Sequence, residues 1–305
     1  MSRRPIFLIV NPASGGKPGS GPDLHEDPEE LRPEALAEAL RAGGLEVELH
    51  ELTDDDDITT LARTAVERGR DVVAAGGDGT VRGAAVALVG GPGTLGILPL
   101  GSFNNIARGF GIPVDFESAL DTVTRGEQGE FDVGAALRPA TEEAVYFFEA
   151  AGVGLEAVGF MAVELGERHG WWRALRTVWR GLRRRRAPVR LNVDGARYRA
   201  GTPAVTVCNG PYHGLGFAIA PQADPRDGLL DVAVFAGMDR WQVIRHFIAV
   251  ARRTPRREPR VRMLRGRRIE IEGVRSAHPV HVDGLTSGFT PVTFEVRPSA
   301  IRIFS

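Results

Sequence analysis

Asp71-Val72-Val73-Ala74-Ala75-Gly76-Gly77-Asp78-Gly79-Thr80 is the stretch that decides the fold. Asp71–Ala75 is a short, mostly apolar run bounded by glycine, which reads as a buried strand. Val81–Val89, immediately after the glycines, has a helical pattern. A buried strand that turns through glycine into a helix is the repeating unit of a parallel sheet.

The same unit recurs on both sides. Upstream, Pro5–Val10 reads as a buried strand, Asn11–Gly21 as a Gly/Ser/Pro-rich loop and Leu31–Leu40 as a helix. Leu45–Leu52 alternates apolar and polar residues as a strand does, and Ile58–Arg68 is helical. Downstream, Leu95–Leu100 is another buried strand and Phe103–Phe110 a short helix. This alternation predicts an α/β domain with a parallel sheet and helices on both faces. After about Leu137 the texture changes. Strands are expected at Val145–Ala150, Val189–Val193, Ala204–Val207, Leu230–Phe235, Arg260–Leu264, Arg268–Ile271, Val280–Val282, Val292–Val296 and Ile301–Phe304. Gly, Asp and Asn separate many of them, so the second half reads as a β-sandwich or barrel-like domain. Two helices, Trp171–Arg186 and Trp241–Arg252, interrupt it.

Composition agrees. The chain has 305 residues, 43% of them hydrophobic and 25% charged, which excludes disorder, collagen-like repeats and a coiled-coil rod. One cysteine, Cys208, excludes an intramolecular disulfide and a thiolate metal cluster, and fits a reducing, cytoplasmic setting. The apolar run near the start is too short for a signal peptide, and no stretch approaches the ~20 apolar residues of a spanning helix. The formal net charge of -1 hides a split: residues 1–137 carry 11 basic and 23 acidic side chains, and residues 138–305 carry 27 basic and 16 acidic ones. Such polarity predicts two domains and a basic surface that meets something anionic.

Three strand ends in the first half carry loops suited to phosphate: Asn11-Pro12-Ala13-Ser14-Gly15-Gly16-Lys17, Gly76–Thr80, and Pro99-Leu100-Gly101-Ser102-Phe103-Asn104-Asn105. In an open α/β sheet the carboxyl ends of the strands line the ligand crevice. Glycine lets backbone approach a phosphate, and a helix N-terminus presents N–H groups with partial positive charge. Each loop alone also reads as a tight turn, with Asp78 as a helix cap; three together point to phosphate. Asp78 repels phosphate directly. It can hold a Mg²⁺ that bridges phosphates, or orient or take a proton from an attacking hydroxyl. Neither the Walker A spacing nor G-x-G-x-x-G is present, so a nucleotide is held in another way.

The ordered set Asn11-Pro12-x-Ser14-Gly15, Gly76-Gly77-Asp78-Gly79-Thr80 and Pro99-Leu100-Gly101-Ser102-x-Asn104 resembles the diacylglycerol kinase catalytic family, the soluble bacterial lipid kinases akin to sphingosine and ceramide kinases. Ala151-Gly152-Val153-Gly154 and Ala220-Pro221-x-Ala223-x-x-x-Asp227-Gly228-Leu229-Leu230-Asp231-Val232 continue the likeness, which covers nearly the whole chain. The resemblance implies a nucleotide-binding α/β domain over 1–137, a β-sandwich lipid or substrate domain over 138–296, and a last strand, 297–305, that returns to the first domain. It implies ATP and Mg²⁺ as cofactors. Nucleotide contacts fall on Asn11, Pro12, Ala13, Ser14, Gly15, Thr53, Gly76, Gly77, Asp78, Gly79, Thr80, Val81, Arg82 and Ser102. A structural Mg²⁺ falls on Asp224, Asp227 and the Leu229 carbonyl, although Asp227-Gly228 alone reads as a plain hairpin turn.

Two departures bear on catalysis. Relatives often read Asn-Asp where this chain has Asn104-Asn105. Relatives also carry Asp-Gly-Glu near the end, with the Glu as proposed proton acceptor, where this chain has Asp283-Gly284-Leu285. Leucine takes no proton, so Asp78 or Asp283 is the expected catalytic carboxylate. Phosphoryl transfer rests mainly on positioning and charge neutralisation, so activity does not require the glutamate.

Trp171, Trp172, Leu175, Val178, Trp179 and Leu182 share one helical face, with Arg183–Arg186 beyond them. That pattern suits an interfacial helix on an anionic membrane, or a helix packed on its own domain with a solvated basic face. Arg245–Arg268 holds ten further arginines. No nucleic-acid motif accompanies this charge, so no nucleic-acid partner is expected. The expected function is ATP-dependent phosphorylation of a lipid hydroxyl by a cytoplasmic, peripherally membrane-associated protein; a homodimer is compatible with the sequence. Two alternatives stand beside it: a nucleotide- and lipid-binding regulator without turnover, and a kinase of a soluble alcohol such as NAD.

Overall fold

The computed structural model describes residues 4–15, 31–139, 141–155, 157, 187–202, 204–214, 216–239, 241–243, 245–246 and 260–305. Lys17, the Trp171–Arg186 helix and most of Trp241–Arg252 lie outside the described residues. The chain forms two compact units, Met1–Asp132 with Ser299–Ser305, and Val133–Pro298.

The first unit runs β1 (Ile6–Val10), a 3₁₀ turn (Pro12–Gly15), α1 (Pro33–Ala42), β2 (Val47–Glu51), α2 (Ile58–Glu67), β3 (Asp71–Gly76), α3 (Asp78–Leu88), β4 (Thr94–Pro99), α4 (Asn105–Gly109), α5 (Phe116–Arg125) and the start of β5 (Gln128–Arg138). The strand order is β2-β1-β3-β4, all parallel, and the end of β18 (Val292–Phe304) extends it beside β4. β1, β3 and β4 are buried along their full length, as the unbroken apolar runs require of strands covered on both faces. On one face Leu36 and Leu40 of α1 and Phe116 and Val123 of α5 meet Ile6, Leu8, Val73 and Leu98. α2 and α3 lie close to each other, where the Thr59 hydroxyl donates to the Gly83 carbonyl at 2.9 Å. A Cβ at Gly83 would stand 3.1 Å from Ile58, so a larger residue there would press the two helices apart. α2 and α5 begin at Asp57 and Asp115, whose carboxylates accept from the Thr59 and Ser118 N–H groups; such caps are each worth about 1 kcal/mol.

The second unit is a β-sandwich. Its strands are the rest of β5, β6 (Thr141–Phe147), β7 (Ala150–Gly154), β8 (Ala187–Val193), β9 (Ala196–Thr202), β10 (Ala204–Cys208), β11 (Tyr212–His213), β12 (Phe217–Ala218), β13 (Leu230–Phe235), β14 (Val261–Gly266), β15 (Arg268–Gly273), β16 (Pro279–Val282), β17 (Leu285–Phe289) and the first part of β18. One sheet is ordered β14-β13-β10-β7-β16-β17; the other places β18, β15, β8 and β9 side by side. Between them sits a core that includes Val153, Val207, Val232 and Val282 from the first sheet and Leu191, Ile269, Ile271 and Phe294 from the second.

The structure departs from sequence expectation at definite places. Val145–Ala150 is not one strand but the end of β6 and the start of β7, because the chain bends at Phe148-Glu149. Val292–Val296 and Ile301–Phe304 join into the single β18, in which Ser299 takes φ 49. α5, β5, β9 and β17 were not expected. β9 follows the two-residue turn Asp194-Gly195 (φ 48 and 89), and β17 follows Asp283-Gly284 (φ 43 and 78); both are left-handed pairs that close a hairpin of matching twist.

Gly134 of β5 lies opposite Phe147 of β6, and a Cβ there would fall 2.2 Å from the Phe147 ring. That ring is fully buried and meets Phe294 edge-on at 6.0 Å, so it has nowhere to move. Gly134→Ala is expected to destabilise the protein by about 1–3 kcal/mol, measured as a lower midpoint in chemical denaturation.

Candidate functional site: a glycine-lined phosphate cradle

The parallel order brings the carboxyl ends of β1, β3 and β4 to one edge, and the three glycine loops meet there. The Asn11 N–H bonds the Ala75 carbonyl at 2.9 Å, and its side-chain amide donates to the Thr80 hydroxyl at 3.0 Å. The Asn11 Oδ1 accepts from the Ala13 N–H at 3.0 Å, which shapes the 3₁₀ turn Pro12–Gly15. Ser14 Oγ accepts from the Gly77 N–H at 3.3 Å. Numbered by the strand each follows, the first (β1) and third (β3) loops are therefore tied by side chains from the first, and the loop after β4 is the fourth.

The third and fourth loops touch backbone to backbone. A Cβ on Gly101 would lie 2.5 Å from the Gly77 Cα and 2.8 Å from the Asn104 side-chain oxygen. Asn104, in the left-handed region at φ 50, accepts from the Gly101 N–H at 3.0 Å and donates to the Gly101 and Pro99 carbonyls at 2.8 and 3.3 Å. Gly77 is the N-cap of α3, and Gly79, in its first turn, is exposed with nothing within 4 Å of where a Cβ would stand. The first N–H groups of a helix lack intrahelical partners. Gly79 leaves them room for an anion.

Asp78 opens α3 and spans to the fourth loop: its Oδ1 accepts from the Ile106 N–H at 3.0 Å. The carboxylate is thereby oriented by backbone. Val81 is buried in the core, Arg82 is partly buried, and Ser102 is exposed in the fourth loop. Thr53 follows β2 at the same sheet edge. Its N–H and hydroxyl both donate to Asp56 Oδ2, at 2.8 and 2.9 Å, with His50 Nε2 at 3.2 Å from the same oxygen. The Thr53 N–H and hydroxyl, followed by His50, hold the Asp56 carboxyl below its ordinary value.

In the second unit Asp283 fastens the bend between β6 and β7. Its Oδ2 accepts from the Phe148 N–H at 2.9 Å, and its Oδ1 from the N–H groups of Glu149 and Ala150 at 3.0 and 3.1 Å. Leu285, two residues on, is 52% exposed. Beside this bend is a cluster that sequence reasoning missed. Glu149 is buried, its Oε2 lying 3.2 Å from the Gly214 N–H and 3.5 Å from His213 Nδ1, and the buried His213 ring stacks on that of His281 at 5.2 Å. Each of these side chains stands far from the others in sequence and outside any spaced motif, so no local signal marks them.

The Asp224–Asp231 turn is built differently from the expected metal site. Asp224 Oδ1 accepts from the Arg226 N–H, and Asp227 Oδ1 from the Leu229 N–H, both at 3.0 Å. The second Asp227 oxygen pairs with Arg265 Nη2, and Arg265 Nε is 3.3 Å from Asp231.

Comparison with known proteins follows this geometry. Residues 5–136 match the diacylglycerol kinase catalytic domain, and residues 161–305 match the YegS C-terminal NAD kinase beta sandwich-like domain. A Pseudomonas aeruginosa protein named "Probable lipid kinase YegS-like" is 32% identical over 217 residues, spanning 68% of this chain and 67% of that one. The chain belongs to the diacylglycerol kinase family. A diacylglycerol kinase of Mycobacterium tuberculosis is 29% identical over 82% of each chain. The fold is shared with the crystal structure of a diacylglycerol kinase from Bacillus anthracis, at 19% identity and a TM-score of 0.71 over 100% of this chain and 97% of that one. An NAD kinase from Archaeoglobus fulgidus, solved in complex with ATP, aligns with a TM-score of 0.54 at 16% identity.

For this member of the diacylglycerol kinase family, the structural Mg²⁺ expected at Asp224, Asp227 and Leu229 does not fit the residues present. Mg²⁺ requires near-octahedral oxygen at 2.0–2.1 Å, while one oxygen of each carboxylate accepts a backbone N–H and the other Asp227 oxygen faces a guanidinium. Among the described residues no group of three or more His, Cys, Asp or Glu is placed to hold a metal ion.

Two outcomes follow from the cradle. Gly101→Ala is expected to force the third and fourth loops apart and to weaken ATP binding more than it lowers the melting temperature, as calorimetric titration against thermal melting would resolve. Asp56 has a folded value below its unfolded one, so its contribution to stability is present above the unfolded value and is lost as pH falls through the folded one. Asp56→Asn is therefore expected to melt below wild type at neutral pH, with the gap narrowing as pH falls from about 4 through the lower folded value.

Proposed function

We propose that the protein is an ATP-dependent kinase that phosphorylates the hydroxyl of diacylglycerol or a related lipid alcohol. The observation that carries this reading is the convergence of three glycine loops, tied through Asn11–Thr80, Ser14–Gly77 and Gly77–Gly101, on one edge of a parallel sheet in a member of this family.

In this reading Asn11, Pro12, Ala13, Ser14 and Gly15 with Gly76–Arg82 and Ser102 form the nucleotide cradle, and Thr53 borders it. ATP, bound as its Mg²⁺ complex, supplies the phosphoryl group. The residues do the remaining work. Gly77 and Gly79 admit phosphate oxygens to the α3 N-terminus, whose partial positive charge stabilises them without being lost to reorganisation. Asp78, held by the Ile106 N–H, would hold the Mg²⁺ that accompanies the nucleotide, or orient or take a proton from the attacking hydroxyl. Positioning of this kind supplies most of the acceleration in phosphoryl transfer.

The lipid is met at an anionic surface. No helix among the described residues is long and apolar enough to cross a membrane, and the arginine-rich second half supplies the attraction, about 1 kcal/mol for each basic residue near the surface. The first test is incubation with labelled ATP, Mg²⁺ and a panel of lipid alcohols in mixed micelles. Label transfer to a lipid is the expected result. Transfer to NAD alone, or to nothing despite ATP binding, would sink the proposal in favour of a soluble-alcohol kinase or a binding protein.

Asp78→Asn keeps the oxygen that accepts from Ile106 and removes the charge. It is expected to lower kcat by about 10²–10⁴-fold while the melting temperature and ATP affinity in the absence of Mg²⁺ stay near wild type. Wild-type turnover in the variant would exclude a role for Asp78 in metal or proton handling.

A further inference from the structure

The Asp224–Asp231 turn gathers three carboxylates within eight residues. Asp227 and Asp231 flank Gly228 (φ 72), and the Asp227 N–H closes back on the Asp224 carbonyl at 3.3 Å. The Asp231 side chain is 7% exposed. Asp224 and Asp227 are exposed and Asp231 is buried; like charges this close repel one another, and burial adds a desolvation cost at Asp231, so a positive charge beside it stabilises the turn.

The positive charge present belongs to the protein. Arg265 sits on β14 directly across from Asp231 on β13 in the antiparallel register. Its Nη2 pairs with Asp227 Oδ2, and its Nε lies 3.3 Å from Asp231. One guanidinium thus spans both carboxylates, as its planar fork of donors permits and a lysine's single ammonium would not. Burial works against the charge on Arg265, but Asp231 and then Asp227 outweigh it, so its protonated form is favoured. Burial pushes the Asp231 carboxyl above its ordinary value, and Arg265 pulls it back.

We infer that Arg265 is the tethered cation of this turn and takes the place of a divalent ion in holding it closed. The arginine is delivered by strand register rather than by binding equilibrium. A Mg²⁺ ion would have to shed tightly held water and then enter beside a positive charge already paired with Asp227. The second unit is therefore stable without divalent cations, and any Mg²⁺ the protein requires enters with the nucleotide. The inference concerns folding and cation binding alone and stands apart from the proposed kinase activity.

The test is thermal melting and cation binding of the full chain without nucleotide. The wild-type melting temperature is expected to be the same in EDTA and in ~10 mM Mg²⁺, a concentration that saturates even weak sites. Mn²⁺ titrated into the protein should keep the spectrum of the free aquo ion, read by electron paramagnetic resonance. Arg265→Gln removes the charge and leaves the buried Asp231 beside Asp227 with no cation between them. It is expected to melt lower than wild type in EDTA and to recover part of the loss in Mg²⁺ or Ca²⁺. A wild-type rise of about 5–10 °C in Mg²⁺ that Asp227→Asn abolishes would overturn the inference, because ligand binding to the folded state has that size. So would an Arg265→Gln protein that melts like wild type in EDTA. The Mn²⁺ titration needs no variant, so a substitution that fails to fold leaves it decisive: one tightly bound Mn²⁺ per chain, lost in Asp227→Asn, overturns the assignment.

Discussion

Gly77 and Gly101 touch with no side chain between them, and the cradle depends on that contact. Parallel strands β3 and β4 deliver the two glycines side by side, with the Leu100 N–H bonding the Gly76 carbonyl at 3.0 Å. A single methyl at position 101 would stand 2.5 Å from the Gly77 backbone, closer than atoms approach. Across the same two loops the Asp78 carboxylate accepts from the Ile106 N–H, and on the β1 side Ser14 accepts from the Gly77 N–H. The buried sheet sets the spacing and the glycines exploit it.

In the second unit, polar side chains fasten the turns that surround the apolar core. Asp283 gathers three consecutive N–H groups at the β6–β7 bend, and Asp194 receives the N–H groups of Arg267 and Arg268. Each closes its own hairpin with a left-handed residue and then bonds a distant segment. An aspartate in this double role is both a turn residue and a staple. Asp283 thereby has a structural task independent of proton transfer.

Much of the first unit was legible because its signals are local. The buried strands are apolar runs, and each glycine loop follows its strand without a gap. α5 was missed although Asp115 caps it and Gly126 (φ 72) ends it; its exposed Glu117, Asp121 and Arg125 dilute the apolar stripe of Phe116, Ala119 and Val123. β9 and β17 carry few large apolar residues, so alternation alone did not raise them, and the Asp-Gly pairs before them were the usable signal. What was not legible is long-range. The bend at Phe148-Glu149 is imposed by Asp283, the Asp227 pairing by Arg265, and the Glu149–His213–His281 grouping by three separate strand ends. β18 passes through Pro298-Ser299 without breaking, since the Ser299 N–H bonds Asp132 Oδ1 at 2.9 Å.

The Asp283 staple also has a consequence in time. The three N–H groups it satisfies belong to a segment at least 133 residues earlier in the chain. At a synthesis rate of about 5–20 residues per second, the β6–β7 bend leaves the ribosome roughly 7–27 s before its acceptor does. Until then its amides have only water. The β7–β16 pairing that flanks the staple spans a similar separation, with Ala151 opposite Val282. Contacts so distant in sequence are slow to form. The nascent second unit therefore cannot close its central sheet until translation has nearly ended, whereas the parallel strands β1, β3 and β4, complete by Pro99, can pair long before.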